Sequence, residues 1–306
     1  AGADCVKFQT FKAKNLVTIH AAQAEYQIRN QDSLESQYDM LKKLELNLHD
    51  HKILFNYAQN QGILFLSTPF DLDSLNLINE VGLDTIKIPS GEINNLPFLR
   101  EIGKCSKRII LSSGMSNLSE IKEALLILEN SGTSRSKITV LHCNTDYPTS
   151  MKDVNLKAML TIKKECNVNV GYSDHTLGIE VPIAACALGA KVIEKHFTLD
   201  RGLSGPDHMA SLEPSELKSM VGKIRNIEKA LGSSIKKASL SEKKNIEIAR
   251  KSIIAKKNIA KGEILTADNI TTKRPASGIS PMKWDKVIGS YAIKSFKEDD
   301  LIIIKG

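Results

Sequence analysis

Residues 168–176 read VNVGYSDHT. Val168 and Val170 alternate with small or polar residues, as in a half-buried strand. The run ends in Ser173, Asp174 and His175, and a helix-like stretch starts near Gly178. A strand that breaks into serine, aspartate and histidine at its C-terminal end suits a parallel α/β fold, whose sites collect beyond strand ends. How many other strands end this way separates an open sheet from a barrel.

Seven short apolar or β-branched runs alternate with longer helical patterns. They are Cys5–Gln9, Leu64–Ser67, Thr85–Ile88, Ile109–Ser112, Thr139–His142, Asn169–Ser173 and Val192–His196. Helical spacing marks Leu34–Gln61, Asp71–Val81, Ser119–Asn130 and Gly178–Leu188. In the third of these, Ile121, Leu125 and Leu128 share a face and Ser119 is the expected N-cap. Gly62, Gly82, Gly132 and Gly189 follow helices, as C-terminal caps do. Repeated βα units imply parallel strands with right-handed crossovers. Polar groups close nearly every strand: Lys7 and Gln9, Ser67 and Thr68, Lys87, Ser90 and Glu92, Ser112 and Ser113, His142 and Asn144, Ser173 and His175, Glu194 and His196. An open sheet uses only the ends near its switch point, whereas a barrel gathers all of them into one ring. The expected fold is therefore α/β, a (β/α)8 TIM barrel over residues 1–231 that lacks one βα unit. That unit would be the first, since Ala1-Gly2-Ala3-Asp4 runs straight into an apolar stretch. An open seam between the first and last strands is then expected.

Residues 214–231 read as a helix with Pro214 in its first turn. Residues 232–250 are polar, rich in lysine and serine, and are expected to form a linker. From Lys251 to Gly306 short strand patterns and turns, such as Lys261-Gly262-Glu263, describe a small, mostly β module. It is too small for a large core of its own.

The 306 residues are 42% hydrophobic and 25% charged, which is ordinary for a globular protein. There is no run of 18 apolar residues, so no membrane-spanning helix is expected. The opening residues show no leader pattern, and five scattered cysteines without a C-x-x-C fit a reducing compartment. A cytoplasmic location is the expectation. The formal charge of +7 suits anionic substrates, or simply reflects a lysine-rich surface. No basic cluster with interleaved aromatics suggests nucleic-acid binding.

His175 and His196 close neighbouring strands, which lie about 4.8 Å apart, so both imidazoles can reach one metal. His196 could instead be a packed histidine donating to a backbone carbonyl. Lys7 and Lys87 alternate with Val6 and Phe8, and with Ile86 and Ile88. If those apolar neighbours face covering helices, the lysines face the lumen, where they need an anion. Outward edge positions are the alternative. Ser90, Gly91, Thr68 and Ser173 add donors suited to phosphate oxygens. Glu92 suits a general base or a water-orienting role, or a cap or salt bridge. The Ser112–Ser116 loop is a weak candidate phosphate cradle, and Gly205-Pro206 presents Asp207.

The ordered stretches VKFQTF, FLSTPFD, IKIPSGEINNLPFL, LSSGMS, LHCNTDYPT, GYSDHTLG, IEKHFTLD and GPDHMASL, with KRP at 273–275, span almost the whole chain. Together they resemble the sialic acid synthase family, and the C-terminal module resembles its antifreeze-like (SAF) domain. The resemblance implies condensation of phosphoenolpyruvate with an N-acylated hexosamine, with release of phosphate by C–O cleavage. It implies a divalent metal on His175 and His196, usually manganese, with magnesium or cobalt as alternatives. Lys7, Thr68, Lys87, Ser90, Asn144 and Ser173 would hold phosphoenolpyruvate, and Glu92, Lys7 and Lys87 would act in catalysis. Gln9, Tyr147 and Asp207 would meet the sugar, and Arg274 would do so across a domain-swapped homodimer. Two departures stand out. The family's first strand, with its sugar-contacting glutamate, has no counterpart here. The family also often has asparagine two residues before the YP tyrosine, where this chain has Thr145, with Asn144 one earlier.

N-Acetylneuraminate synthase, acting on N-acetylmannosamine, is the expected activity. N,N'-diacetyllegionaminate synthase or another nonulosonic acid synthase is the alternative. An inactive sugar-binding or dimerisation protein, and a metal-dependent aldolase, are rivals of other classes.

Overall fold

The computed structural model describes residues 1–24, 27–28 and 36–305. It divides into two units, Ala1–Gly232 and Ser233–Gly306.

Among the described residues the first unit is built on seven strands: β1 (Cys5–Thr10), β2 (Leu64–Pro69), β3 (Thr85–Ile88), β4 (Arg108–Ser112), β5 (Ile138–Cys143), β6 (Asn169–Asp174) and β7 (Ile193–Lys195), each pairing between them being parallel. β1 pairs with β2, and β3 to β7 pair in sequence order. β2 runs beside β3, so the strands follow one another around a curled half-barrel. Among the described residues β1 pairs only with β2 and β7 only with β6.

Period-two alternation decides what each strand buries. Ile86, Ile88, Ile109, Leu111, Ile138, Val140, Val170 and Tyr172 are buried in the main core. They meet Ile78, Leu99, Ile102, Leu125, Leu128, Met159 and Ile162 of the helices outside the sheet. The opposite positions are left for polar groups. Close strand approach needs Gly171: a Cβ there would lie 2.3 Å from the Val192 carbonyl oxygen and 2.6 Å from Leu141 Cδ2.

The long helical stretch expected over 34–61 differs in the structure. Its first residues lie outside the described region. The rest forms two helices, Gln37–Lys43 and Leu48–Asn60. Asn47 caps the second through the Asp50 amide while Asp50 accepts from the Asn47 amide, so a capping box restarts the chain at that point. Asn117, not Ser119, caps the helix Leu118–Asn130, again with a reciprocal partner, Glu120. The helix Pro214–Leu231 has Pro214 in its first turn, as expected.

In the second unit, β8 (Ser252–Ala255) pairs antiparallel with β9 (Ile270–Lys273). Isolated bridges join Ile254 to Leu301, Ile259 to Phe296 and Ile264 to Tyr291 around a core of Ile253, Ile259, Leu265, Ile270, Phe296 and Ile302. Gly262, at φ +85°, makes the expected turn. The segment read as a linker contains a helix, Leu240–Ala249, started by a capping box between Ser239 and Glu242. Its sparse apolar residues hid it, since none is buried.

Candidate active site

β1 and β3 send their lysines inward. Val6 and Phe8 pack on the core and Ile86 and Ile88 are buried in it, which leaves Lys7 and Lys87 on the lumen face. Lys87 is 2% exposed. Its Nζ donates to Ser112 Oγ at 2.7 Å and lies 3.7 Å from Glu194 Oε1. Lys7 Nζ is 2.8 Å from the same oxygen, and Ser173 Oγ donates to it at 3.0 Å. One carboxylate oxygen thus gathers two ammonium groups and a hydroxyl.

Burial pushes the Lys87 ammonium down to about 8, against the opposing pull of Glu194. Burial also works to raise the Glu194 carboxyl, but Lys7 and Lys87 outweigh it and hold that group well below the usual carboxylate range. Glu194 was among the polar groups expected at the strand ends, but it carried no assigned role. Its signal was the alternation that places it on the same strand face as His196.

Thr68 pairs in register with Gln9, so both share the lysine face. The Thr68 hydroxyl is buried and finds no hydrogen-bond partner among the described residues. A buried donor left in this state is costly unless a ligand completes it. Ser90 starts a short turn, Ser90–Glu92, beyond β3. It packs on Gly114 at φ +50°, where a Cβ would come 2.4 Å from Ser90 Cβ. The Gly114 amide is engaged by Cys143 Sγ at 3.2 Å, so the 112–116 loop offers less to a phosphate than its sequence suggested. Glu92 accepts from Asn95 Nδ2 at 2.6 Å. The side-chain oxygen of Asn144 accepts from the Asp146 amide at 2.7 Å. Gln9 is exposed at the end of β1.

His175 and His196 stand with ring centroids 5.4 Å apart. Tyr147 packs against both, at 4.1 and 5.7 Å. His175 Nδ1 lies 2.6 Å from the Asn144 carbonyl oxygen. An acceptor there requires the proton on Nδ1, which leaves Nε2 with a free lone pair. His196 Nδ1 lies 3.5 Å from Asp207 Oδ2. Burial lowers His175 to about 4 and His196 to about 3, so both rings are neutral near pH 7, the form a metal ligand needs. Burial raises the Asp207 carboxyl. Two neutral imidazoles with neighbouring rings are donors of the kind a borderline divalent cation takes. No group of three or more His, Cys, Asp or Glu side chains is arranged for a metal among the described residues.

Behind the histidines lies a second charge pair. Asp174 and Lys195 precede His175 and His196 and point to the opposite face of the sheet. Their side chains are 0% and 1% exposed, and Lys195 Nζ lies 2.5 Å from Asp174 Oδ2. Lys195 also donates to the Thr176 carbonyl, and Asp174 accepts from the Thr176 amide and hydroxyl. This pair fixes β6 against β7 at the point where the two imidazoles face each other.

The structure thus brings Lys7, Lys87 and Ser173 together around Glu194, and His175, His196, Tyr147 and Asp207 around one another. Arg274 lies in the second unit, exposed just beyond β9.

A sequence model of the NeuB family matches residues 1–236, and one of the SAF domain matches residues 250–303. The chain belongs to the NeuB family. Its NeuB relatives include the N,N'-diacetyllegionaminic acid synthase of Campylobacter jejuni, 57% identical over 99% of this chain and 90% of that one. The N,N'-diacetyllegionaminic acid synthase of Legionella pneumophila is 44% identical over 95% and 82%. The solved structure of an N-acetylneuraminic acid synthetase from Leptospira borgpetersenii, in complex with citrate, is 34% identical over 80% of each chain, with a TM-score of 0.69. No helix among the described residues is long and apolar enough to cross a membrane.

Proposed function

We propose that this chain is an N,N'-diacetyllegionaminate synthase. It condenses phosphoenolpyruvate with the open-chain form of an amino sugar that carries two N-acetyl groups, and it releases inorganic phosphate. The observation that carries the phosphoenolpyruvate reading is the buried Lys87 beside Lys7 and the unpartnered Thr68 hydroxyl. Two cations and spare donors in one lumen suit a ligand with a phosphate and a carboxylate. The 57% identity to the Campylobacter jejuni enzyme supports the legionaminate reading over the N-acetylneuraminate activity first expected from the sequence.

In this reading Lys7, Lys87, Ser90, Asn144, Ser173 and Thr68 hold phosphoenolpyruvate. His175 and His196 hold a divalent ion, which when bound supplies Lewis-acid polarisation of a carbonyl oxygen. Gln9, Tyr147 and Asp207 orient the sugar so that its aldehyde carbon meets C3 of phosphoenolpyruvate. As the new C–C bond forms, positive charge develops at C2. Glu92, steadied by Asn95, takes a proton from the water that adds there. The proton taken from water balances the one that the sugar's former aldehyde oxygen gains on becoming a hydroxyl. The adduct then collapses: its C2 hydroxyl gives up its proton to the departing phosphate as the C2 carbonyl forms, the C2–O bond to phosphorus-bound oxygen breaks, and the leaving phosphate keeps the bridging oxygen. Lys7 and Lys87 offset its charge. Arg274 contributes from the second copy of a homodimer.

The test is phosphate release from phosphoenolpyruvate with a panel of amino sugars. The diacetylated sugar should outperform N-acetylmannosamine by at least about tenfold in kcat/KM, a difference of ~1.4 kcal/mol. Equal or reversed preference would remove the legionaminate assignment.

A further inference from the structure

Glu194 sits where an incoming anion is expected. Its Oε1 lies 2.8 Å from Lys7 Nζ and 3.7 Å from Lys87 Nζ, and it accepts from Ser173 Oγ at 3.0 Å. Those are three of the side chains assigned above to phosphoenolpyruvate. A buried ammonium group such as Lys87 needs an anion whether or not a ligand is present. Lys7 on β1 is a second cation, and burial raises the Cys143 thiol on β5 so that it stays neutral. Glu194 is the carboxylate that compensates Lys87 in the free site.

Resting on the phosphoenolpyruvate reading, we propose that Glu194 is a positioning residue that competes within the molecule for the phosphate-binding lysines. It holds Lys7 and Lys87 in the free site, yields them to the substrate phosphate, and recloses on them as the product phosphate leaves. A fixed carboxylate this close repels any anion bound at the same ammonium groups. It therefore weakens ground-state binding of phosphate and speeds release of a product that would otherwise stay on the buried Lys87 and the half-buried Lys7. Weak ground-state binding is compatible with fast turnover, because rate depends on interactions gained in the transition state.

The experiment is isothermal titration of the intact chain with inorganic phosphate near pH 7, together with kcat and KM for phosphoenolpyruvate. Glu194→Gln should bind phosphate roughly tenfold more tightly. It should also show a lower KM for phosphoenolpyruvate and a lower kcat. A purely structural role would loosen phosphate and depress kcat together, so unchanged or weaker phosphate binding in folded Glu194→Gln overturns the inference. Glu194→Asp keeps the charge that folding needs but shortens its reach. It should bind phosphate about threefold more tightly, and unchanged binding there is equally fatal. If the unaltered chain binds neither phosphoenolpyruvate nor phosphate, the underlying reading fails and takes this one with it. If it binds them and neither variant gains affinity, this inference alone fails.

Discussion

Replacing Lys195 with methionine tests the buried pair that fixes β6 against β7. Lys195 and Asp174 are 1% and 0% exposed at the side chain and lie 2.5 Å apart. Removing one member of such a pair strands the other charge in the core, at a cost of about 3–5 kcal/mol. The Thr176 carbonyl also loses its ammonium donor, which adds roughly 1 kcal/mol. For a unit of this size, 1 kcal/mol moves the midpoint by about 2–4 °C, so Lys195→Met should melt roughly 10 °C lower. The double variant Asp174→Asn/Lys195→Met removes the stranded charge, and the introduced carboxamide oxygen can still accept from the Thr176 amide. It should recover at least about 2 kcal/mol of the loss, a coupling typical of residues in direct contact. The assay is circular dichroism at 222 nm, dominated by the helices of the first unit. The single tryptophan is unsuitable because Trp284 packs on the second unit's core. A Lys195→Met melt within about 2 °C of the unaltered chain, or strictly additive costs in the double variant, would show that the pair does not hold the two strands together.

Gly171→Ala places a Cβ 2.3 Å from the Val192 carbonyl, where backbone rather than a flexible side chain must move. It should cost about 3 kcal/mol by urea unfolding of the first unit. Asn117→Ala should cost about 1 kcal/mol in the same assay, whereas Ser119→Ala should be near neutral, because Asn117 is the cap. Lys87 binds an anion only when protonated, and burial brings it down to about 8. The kcat/KM for phosphoenolpyruvate should therefore hold below pH 8 and fall as pH rises through it. Lys87→Arg, whose charge persists, should lack that alkaline limb whatever its absolute rate.

The strands were legible because their alternation is local: Lys7 and Lys87 could be turned inward from their immediate neighbours alone. The facing of His175 and His196 was legible for the same reason, together with the adjacency of consecutive parallel strands. Glu194 was not singled out because its partners lie on β1 and β3, far away in sequence, and a three-residue strand reading Ile-Glu-Lys shows little pattern. Lys195 escaped because a charged residue is rarely expected on a helix-covered face. The helix Leu240–Ala249 and the restart at Asn47 did carry a sequence signal, the Ser-x-x-Glu and Asn-x-x-Asp capping boxes. Composition and continuing apolar periodicity overrode it.

In the proposed reaction the lysine-lined lumen breaks the C2–O bond of phosphoenolpyruvate after water adds at C2. Running the reaction in ¹⁸O-enriched water, with mass analysis of the released phosphate, reads that step directly. The expected product is phosphate with no solvent oxygen, all four of its oxygens having come from phosphoenolpyruvate. Phosphate carrying one solvent oxygen would mean P–O cleavage and would contradict the proposed route.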